Sequence, residues 1–195
     1  LLLTIIWLIC GLRRIFSRTQ LKPIIISDIA FIYISVGGAW LFLSRLGCNP
    51  LGFSDDIVKL TAVHFHYAGF IVPIVVSQLV QKTKKDWVVP ALVTIGIPLT
   101  ALGITFGGVF NLIGALTMAI GGLGAAYLLL TEGIRSQSWI RRLLLVPSAI
   151  SLSIAMVFAA SYALSLQLDL EPIALHTMAR WHGSLNALGF GVLAL

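Results

Sequence analysis

Charged residues and cysteines are scarce in this chain. Asp, Glu, Lys and Arg make up 10% of its 195 residues, against about a quarter in soluble domains. Hydrophobic residues make up 58%, and the mean hydropathy is +1.01. The two cysteines, Cys10 and Cys48, are too few for a disulfide framework. These shortages exclude a soluble domain, a disordered chain and a small disulfide-stapled scaffold.

Sequence motifs of enzymes are also missing. The chain has no G-x-S-x-G, HExxH, P-loop or Rossmann fingerprint, so it gives no support for a hydrolase or a nucleotide-driven protein, and no catalytic residue is assigned. The net charge of +6 is the excess of 13 Lys and Arg residues over 7 Asp and Glu. Most of these cations lie in or beside short loops and do not form the aromatic-interleaved basic face of a nucleic-acid binder. No nucleic-acid partner is expected.

Long apolar segments are what the chain does have. A helix needs about 20 apolar residues to cross a bilayer, and seven segments qualify, fully or as shorter pieces. They are 1–16, 23–46, 57–80, 88–105, 109–131, 139–167 and 172–195. Runs such as 71–76 lack the alternation of a membrane barrel strand. The sequence therefore predicts an all-α, polytopic transmembrane bundle in one domain over 1–195. We expect both ends to be truncated, because Leu1 and Leu195 each lie inside an apolar run.

The positions of the loop charges predict an orientation in the membrane. Ten cations occupy alternate loops, which the positive-inside rule places in the cytoplasm. They are Arg13, Arg14, Arg18, Lys22, Lys82, Lys84, Lys85, Arg135, Arg141 and Arg142. The intervening loops hold the carboxylates Asp55, Asp56, Asp169 and Glu171, or are neutral. The first, third, fifth and seventh segments are therefore predicted to run from outside to inside.

The four histidines are the most informative polar residues. His64 and His66 lie in the third segment, and His176 and His182 lie in the seventh. Counting 1.5 Å per residue from the outer loops places all four in the outer half of the membrane, with His66 at about 14 Å and His182 at about 16 Å as the deeper pair. Helical phase prevents all four from meeting one ion, but one histidine from each segment can.

A cofactor site is the first interpretation of these histidines. His66 and His182 would ligate a haem or a transition metal, with Tyr67 as a hydrogen-bond donor and Arg180 as a partner for an anionic group. Asn186 shares the helix face of His182 and is a further candidate for ligand binding. The candidate metal ligands are His64, His66, His176 and His182. No carboxylate lies at the depth of the deeper pair to complete a strong metal motif.

Two other interpretations stay open. In the second, the chain is a solute or proton transporter that uses His64, His176 and Arg180, because ionisable residues inside a membrane are costly. The sequence shows neither a clear inverted repeat nor the unwound helix pair typical of transporters. In the third, the histidines only join helices by hydrogen bonds.

The two histidine segments also resemble a known family. His64-Phe-His-Tyr-Ala-Gly-Phe70 and His182-Gly-Ser-Leu-Asn-Ala-Leu-Gly-Phe190 resemble the bacterial YndJ-like integral membrane proteins. The resemblance implies a multi-pass architecture and a transporter-like description without a defined substrate. The bilayer is the predicted partner, whereas helix-mediated oligomerisation, enzymatic activity and protein partners are left open.

Overall fold

The computed structural model describes residues 1–17, 26–80, 87–171 and 173–195. Within these ranges the chain is helical, without a strand, which confirms the all-α prediction. The α-helices are α1 (Leu2–Phe16), α2 (Ile26–Arg45), α3 (Asp55–His66), α4 (Val72–Val80), α5 (Val88–Phe106), α6 (Gly108–Arg135), α7 (Trp139–Gln167), α8 (Leu175–Ser184) and α9 (Val192–Ala194). A 3₁₀ turn, Pro50–Gly52, precedes α3.

Two of these helices continue through π turns. Tyr67–Ile71 joins α3 to α4, and Leu185–Gly191 joins α8 to α9. We call the continuous helix Asp55–Val80 the first histidine helix, and residues 175–194 the second histidine helix. All seven predicted segments thus correspond to helices in the described residues.

Within the described ranges, five helices are long and apolar enough to cross a membrane. They are Ile26–Arg45, Asp55–Val80, Val88–Phe106, Gly108–Arg135 and Trp139–Gln167. An apolar helix satisfies its own backbone hydrogen bonds, which is what a chain in lipid requires. The protein is therefore a multi-pass membrane protein. The loop-charge orientation stays a prediction, and its cations Arg18, Lys22, Lys82, Lys84 and Lys85 lie outside the described residues.

The chain divides into two compact units, Leu1–Ser77 and Gln78–Leu195. That 1–195 form one transmembrane domain stays a prediction. In the first unit, α2 packs against both α1 and the first histidine helix. Ser35 Oγ in α2 donates a hydrogen bond to Thr4 O in α1, at 2.7 Å. The rings of Trp7, Phe31 and Phe70 cluster with centroids 4.9 to 6.2 Å apart, which ties all three helices together.

In the second unit, α6 packs against α5 and α7, and α7 packs against the second histidine helix. Glycines set the close approach of α5 and α6, because a Cβ on Gly114 would lie 2.6 Å from the carbonyl carbon of Leu99. Ser148 Oγ in α7 donates to Phe190 O at 3.3 Å, and Ser148 and Phe190 are both fully buried. Small residues therefore fix the helix spacing here, as is common in membrane proteins.

Candidate functional site

Both histidine helices widen into a π turn directly after their histidines. The N–H of Val72 donates to Tyr67 O, and the N–H of Val192 donates to Ala187 O, so each bond spans five residues instead of four. Single π turns inside α-helices are frequently found at functional sites. The sequence analysis found no irregular helix pair, because a π turn changes the backbone pairing without changing the hydropathy pattern.

His66 lies at the start of the first π turn and is half-buried. Its Nδ1 is 2.7 Å from Ala62 O. A carbonyl oxygen can only accept, so Nδ1 carries the hydrogen, and the lone pair of the neutral ring is on Nε2. The ring lies against α2 at Gly37, where a Cβ would be 2.8 Å from Nδ1. Gly37 thus provides the space that the imidazole fills.

His182 has both ring nitrogens engaged by protein groups. Nδ1 donates to Ala155 O in α7 at 2.8 Å, which joins two helices. Asn186 Nδ2 lies 3.1 Å from His182 Nε2 and 2.9 Å from His182 O. Since Nδ1 is the donor, Nε2 accepts from the amide of Asn186. This is the helix-joining role of the third interpretation, and it brings together the predicted pair His182 and Asn186.

The other predicted residues have different surroundings. His64 is half-buried, with Nδ1 3.2 Å from Leu60 O in its own helix. Tyr67 opens the first π turn and is half-buried, whereas His176 and Arg180 are exposed on α8. The described residues contain no group of three or more His, Cys, Asp or Glu side chains placed to hold a metal ion.

The histidines are divided between the compact units. His64, His66 and Tyr67 belong to the first, and His176, Arg180, His182 and Asn186 belong to the second. A single site shared by His66 and His182 therefore stays a prediction.

An ion pair with one fully buried partner is a further feature that the sequence analysis missed. Asp28, in the first turn of α2, is fully buried, and its Oδ1 lies 2.8 Å from Arg14 Nε at the end of α1. The Arg14 guanidinium also lies 5.7 Å from the ring centroid of Phe31. The hydropathy of the sequence does not reveal this pair, because it does not show which side of a helix is covered.

Together, the helices define a class of protein, the multi-pass α-helical membrane proteins. The model of the YndJ-like protein family matches residues 1–190, and the chain therefore belongs to that family. It is 29% identical, over 168 residues, to the "Uncharacterized membrane protein YndJ" of Bacillus subtilis (strain 168). The matched region covers 84% of this chain and 30% of that relative, so the chain spans less than a third of its length. No solved structure matches.

Proposed function

We propose that this chain is part of a transport protein of the bacterial cytoplasmic membrane, which binds a small polar solute or a proton through the imidazole of His66. The observation that carries the proposal is a difference in hydrogen bonding at Nε2 between the two deeper histidines, His66 and His182. Within the described part of the chain, no hydrogen bond engages Nε2 of His66, whereas Nε2 of His182 accepts a hydrogen bond from the Asn186 amide. Of these two residues, His66 is therefore the one whose Nε2 lone pair is available for a ligand.

Three properties of His66 suit this role. Placing an ionisable side chain inside a membrane segment costs free energy, so such a residue is a candidate for a functional role. An imidazole can accept a proton at one ring nitrogen and donate one from the other, as a proton carrier must. Its position at a π turn places it beside an irregular stretch of backbone. Arg180 is exposed on α8, where its positive charge would attract an anionic solute from the predicted outer side.

Metal or haem binding is the second candidate function, and one observation favours it. Nδ1 of His66 and Nδ1 of His182 each donate to a backbone carbonyl, at 2.7 and 2.8 Å. Histidines that ligate metals usually hold their other nitrogen in this way. A cofactor on His182 would have to replace the hydrogen bond from Asn186, whereas one on His66 would not. The donor set thus fits a ligand at His66 better than at His182.

The two candidates are separated by a spectrum and a flux assay. Transport predicts that the purified protein has neither a Soret band nor stoichiometric metal, and that proteoliposomes loaded with a pH-sensitive dye show proton flux. His66→Gln should abolish this flux. Thr117→Val is the control, because the Thr117 hydroxyl only donates to Ile113 O in its own helix.

Unchanged flux in His66→Gln, or equal losses in both variants, would overturn the role of His66. A Soret band or bound metal that disappears in His66→Gln would replace transport with the cofactor function.

A further inference from the structure

We infer that this chain contains two copies of one three-helix module, and that in each copy an imidazole contacts the same residue of the second helix, Gly37 in one and Ala155 in the other. The first module consists of α1, α2 and the first histidine helix. The second consists of α6, α7 and the second histidine helix. The inference rests on contacts inside each module and does not depend on the transport proposal.

The histidine helices match at their π turns. Gly69-Phe70 corresponds to Gly189-Phe190. In this alignment, Val72 corresponds to Val192 and Tyr67 to Ala187. The π-turn hydrogen bonds Val72 N–H to Tyr67 O and Val192 N–H to Ala187 O are therefore at equivalent positions.

The polar residue before each π turn matches as well. His66 donates to the carbonyl four residues back, Ala62 O, at 2.7 Å. At the corresponding positions, the Asn186 amide donates to His182 O at 2.9 Å. Two unlike side chains therefore make the same bond at the same place in the helix.

Each module has a middle helix, α2 or α7, that packs against both of the others. The two middle helices pack against their histidine helices in the same register. Gly69 packs against Tyr33, and Gly189 packs against Ser151. Two residues further along, Ser35 Oγ donates to Phe31 O at 3.0 Å and Ser153 Oγ donates to Ala149 O at 2.8 Å.

A small and a larger residue face each other at the next contact. A Cβ on Gly38 would overlap the side chain of Thr4, and a Cβ on Gly122 would overlap the side chain of Met156. In the register set by Tyr33 and Ser151, Gly38 corresponds to Met156. Thr4 and Gly38 are as far apart in the sequence as Gly122 and Met156, so Thr4 corresponds to Gly122. The contact is thus repeated, with the small residue on the middle helix in one module and on the first helix in the other.

The imidazoles follow from this alignment. The ring of His66 lies against Gly37 of α2, and the residue that corresponds to Gly37 is Ala155, whose carbonyl accepts from His182. His182 itself corresponds to Ala62. The second module therefore brings an imidazole to the same residue of its middle helix from one turn earlier, with Asn186 in the place of His66. Parallel repeats are one organisation of secondary transporters, and in both modules the corresponding residue of the second helix contacts an imidazole.

Transplanting the second pattern into the first module tests the inference. Ala62→His alone would place a large side chain at a buried position beside His66, so we expect a melting temperature lower by more than about 5 °C. Adding His66→Asn reproduces the His182 and Asn186 arrangement and should recover most of that loss. The control is Ala62→His with His64→Asn, which removes an imidazole elsewhere and should recover nothing.

The reverse transplant keeps the test informative if Ala62→His does not fold. His182→Ala with Asn186→His gives the second module the pattern of the first. We expect it to recover stability relative to His182→Ala only when Ala155→Gly is added, because the ring needs the space that Gly37 provides. Equal recovery with His64→Asn, or no dependence on Ala155→Gly, would overturn the equivalence. Either result leaves the flux assay of His66→Gln unaffected.

Discussion

The Arg14 and Asp28 pair predicts a measurable loss of stability in Arg14→Gln. Asp28 is 0% exposed, whereas Arg14 is 49% exposed. Removing one partner of a fully buried pair costs about 3–5 kcal/mol, and an exposed pair contributes about 0–1 kcal/mol. With one buried and one half-exposed partner, we expect Arg14→Gln to lower the free energy of unfolding by about 2 kcal/mol. The positive end of the α2 dipole stays beside Asp28 and limits the loss.

The assay is unfolding of the purified protein in mixed micelles, followed by circular dichroism. Lys59→Gln is the matched control, because Lys59 and Asp56 are 3.9 Å apart with side chains 61% and 82% exposed. It should change stability by less than about 0.5 kcal/mol. Adding Asp28→Asn to Arg14→Gln should return part of the loss, since the buried charge is then gone. If Arg14→Gln is no worse than Lys59→Gln, the pair does not stabilise the helix contact.

Three further predictions concern the second unit and the topology. His182→Leu removes the hydrogen bond to Ala155 O and should cost about 1 kcal/mol in the same unfolding assay, whereas His176→Leu, at an exposed position, should cost little; equal losses would contradict the helix-joining role. Gly114→Ala should destabilise by about 1–3 kcal/mol because α5 and α6 must separate, and Gly183→Ala should be tolerated because no atom lies within 4 Å of its added Cβ; the opposite order would refute this packing. In a background without Cys10 and Cys48, a cysteine at Asp56 should react with an impermeant thiol reagent in intact cells and one at Lys84 should not; labelling at Lys84 alone, or at both, would reverse or refute the predicted orientation.

The sequence by itself determined the architecture. Seven apolar segments predicted helices close to those observed, because segment length and hydropathy are local properties and a backbone in lipid must form its own hydrogen bonds. The first histidine segment, predicted at 57–80, is the helix Asp55–Val80. The family was also accessible, because the residues around His66 and His182 carry its resemblance.

Only the tertiary structure decided which partners the polar side chains have. His182 donates to Ala155, 27 residues away, and the buried Asp28 of α2 pairs with Arg14 of α1. Neither pairing follows from hydropathy, which does not specify the register in which two helices pack. The repeated modules are not visible in the sequence for the same reason. The pair Thr4 and Gly38 makes the same contact as the pair Gly122 and Met156, although the residue types differ. Packing requires a small residue opposite a larger one at this contact, and a hydrogen-bond partner across the helices, whereas the residue that supplies each can change.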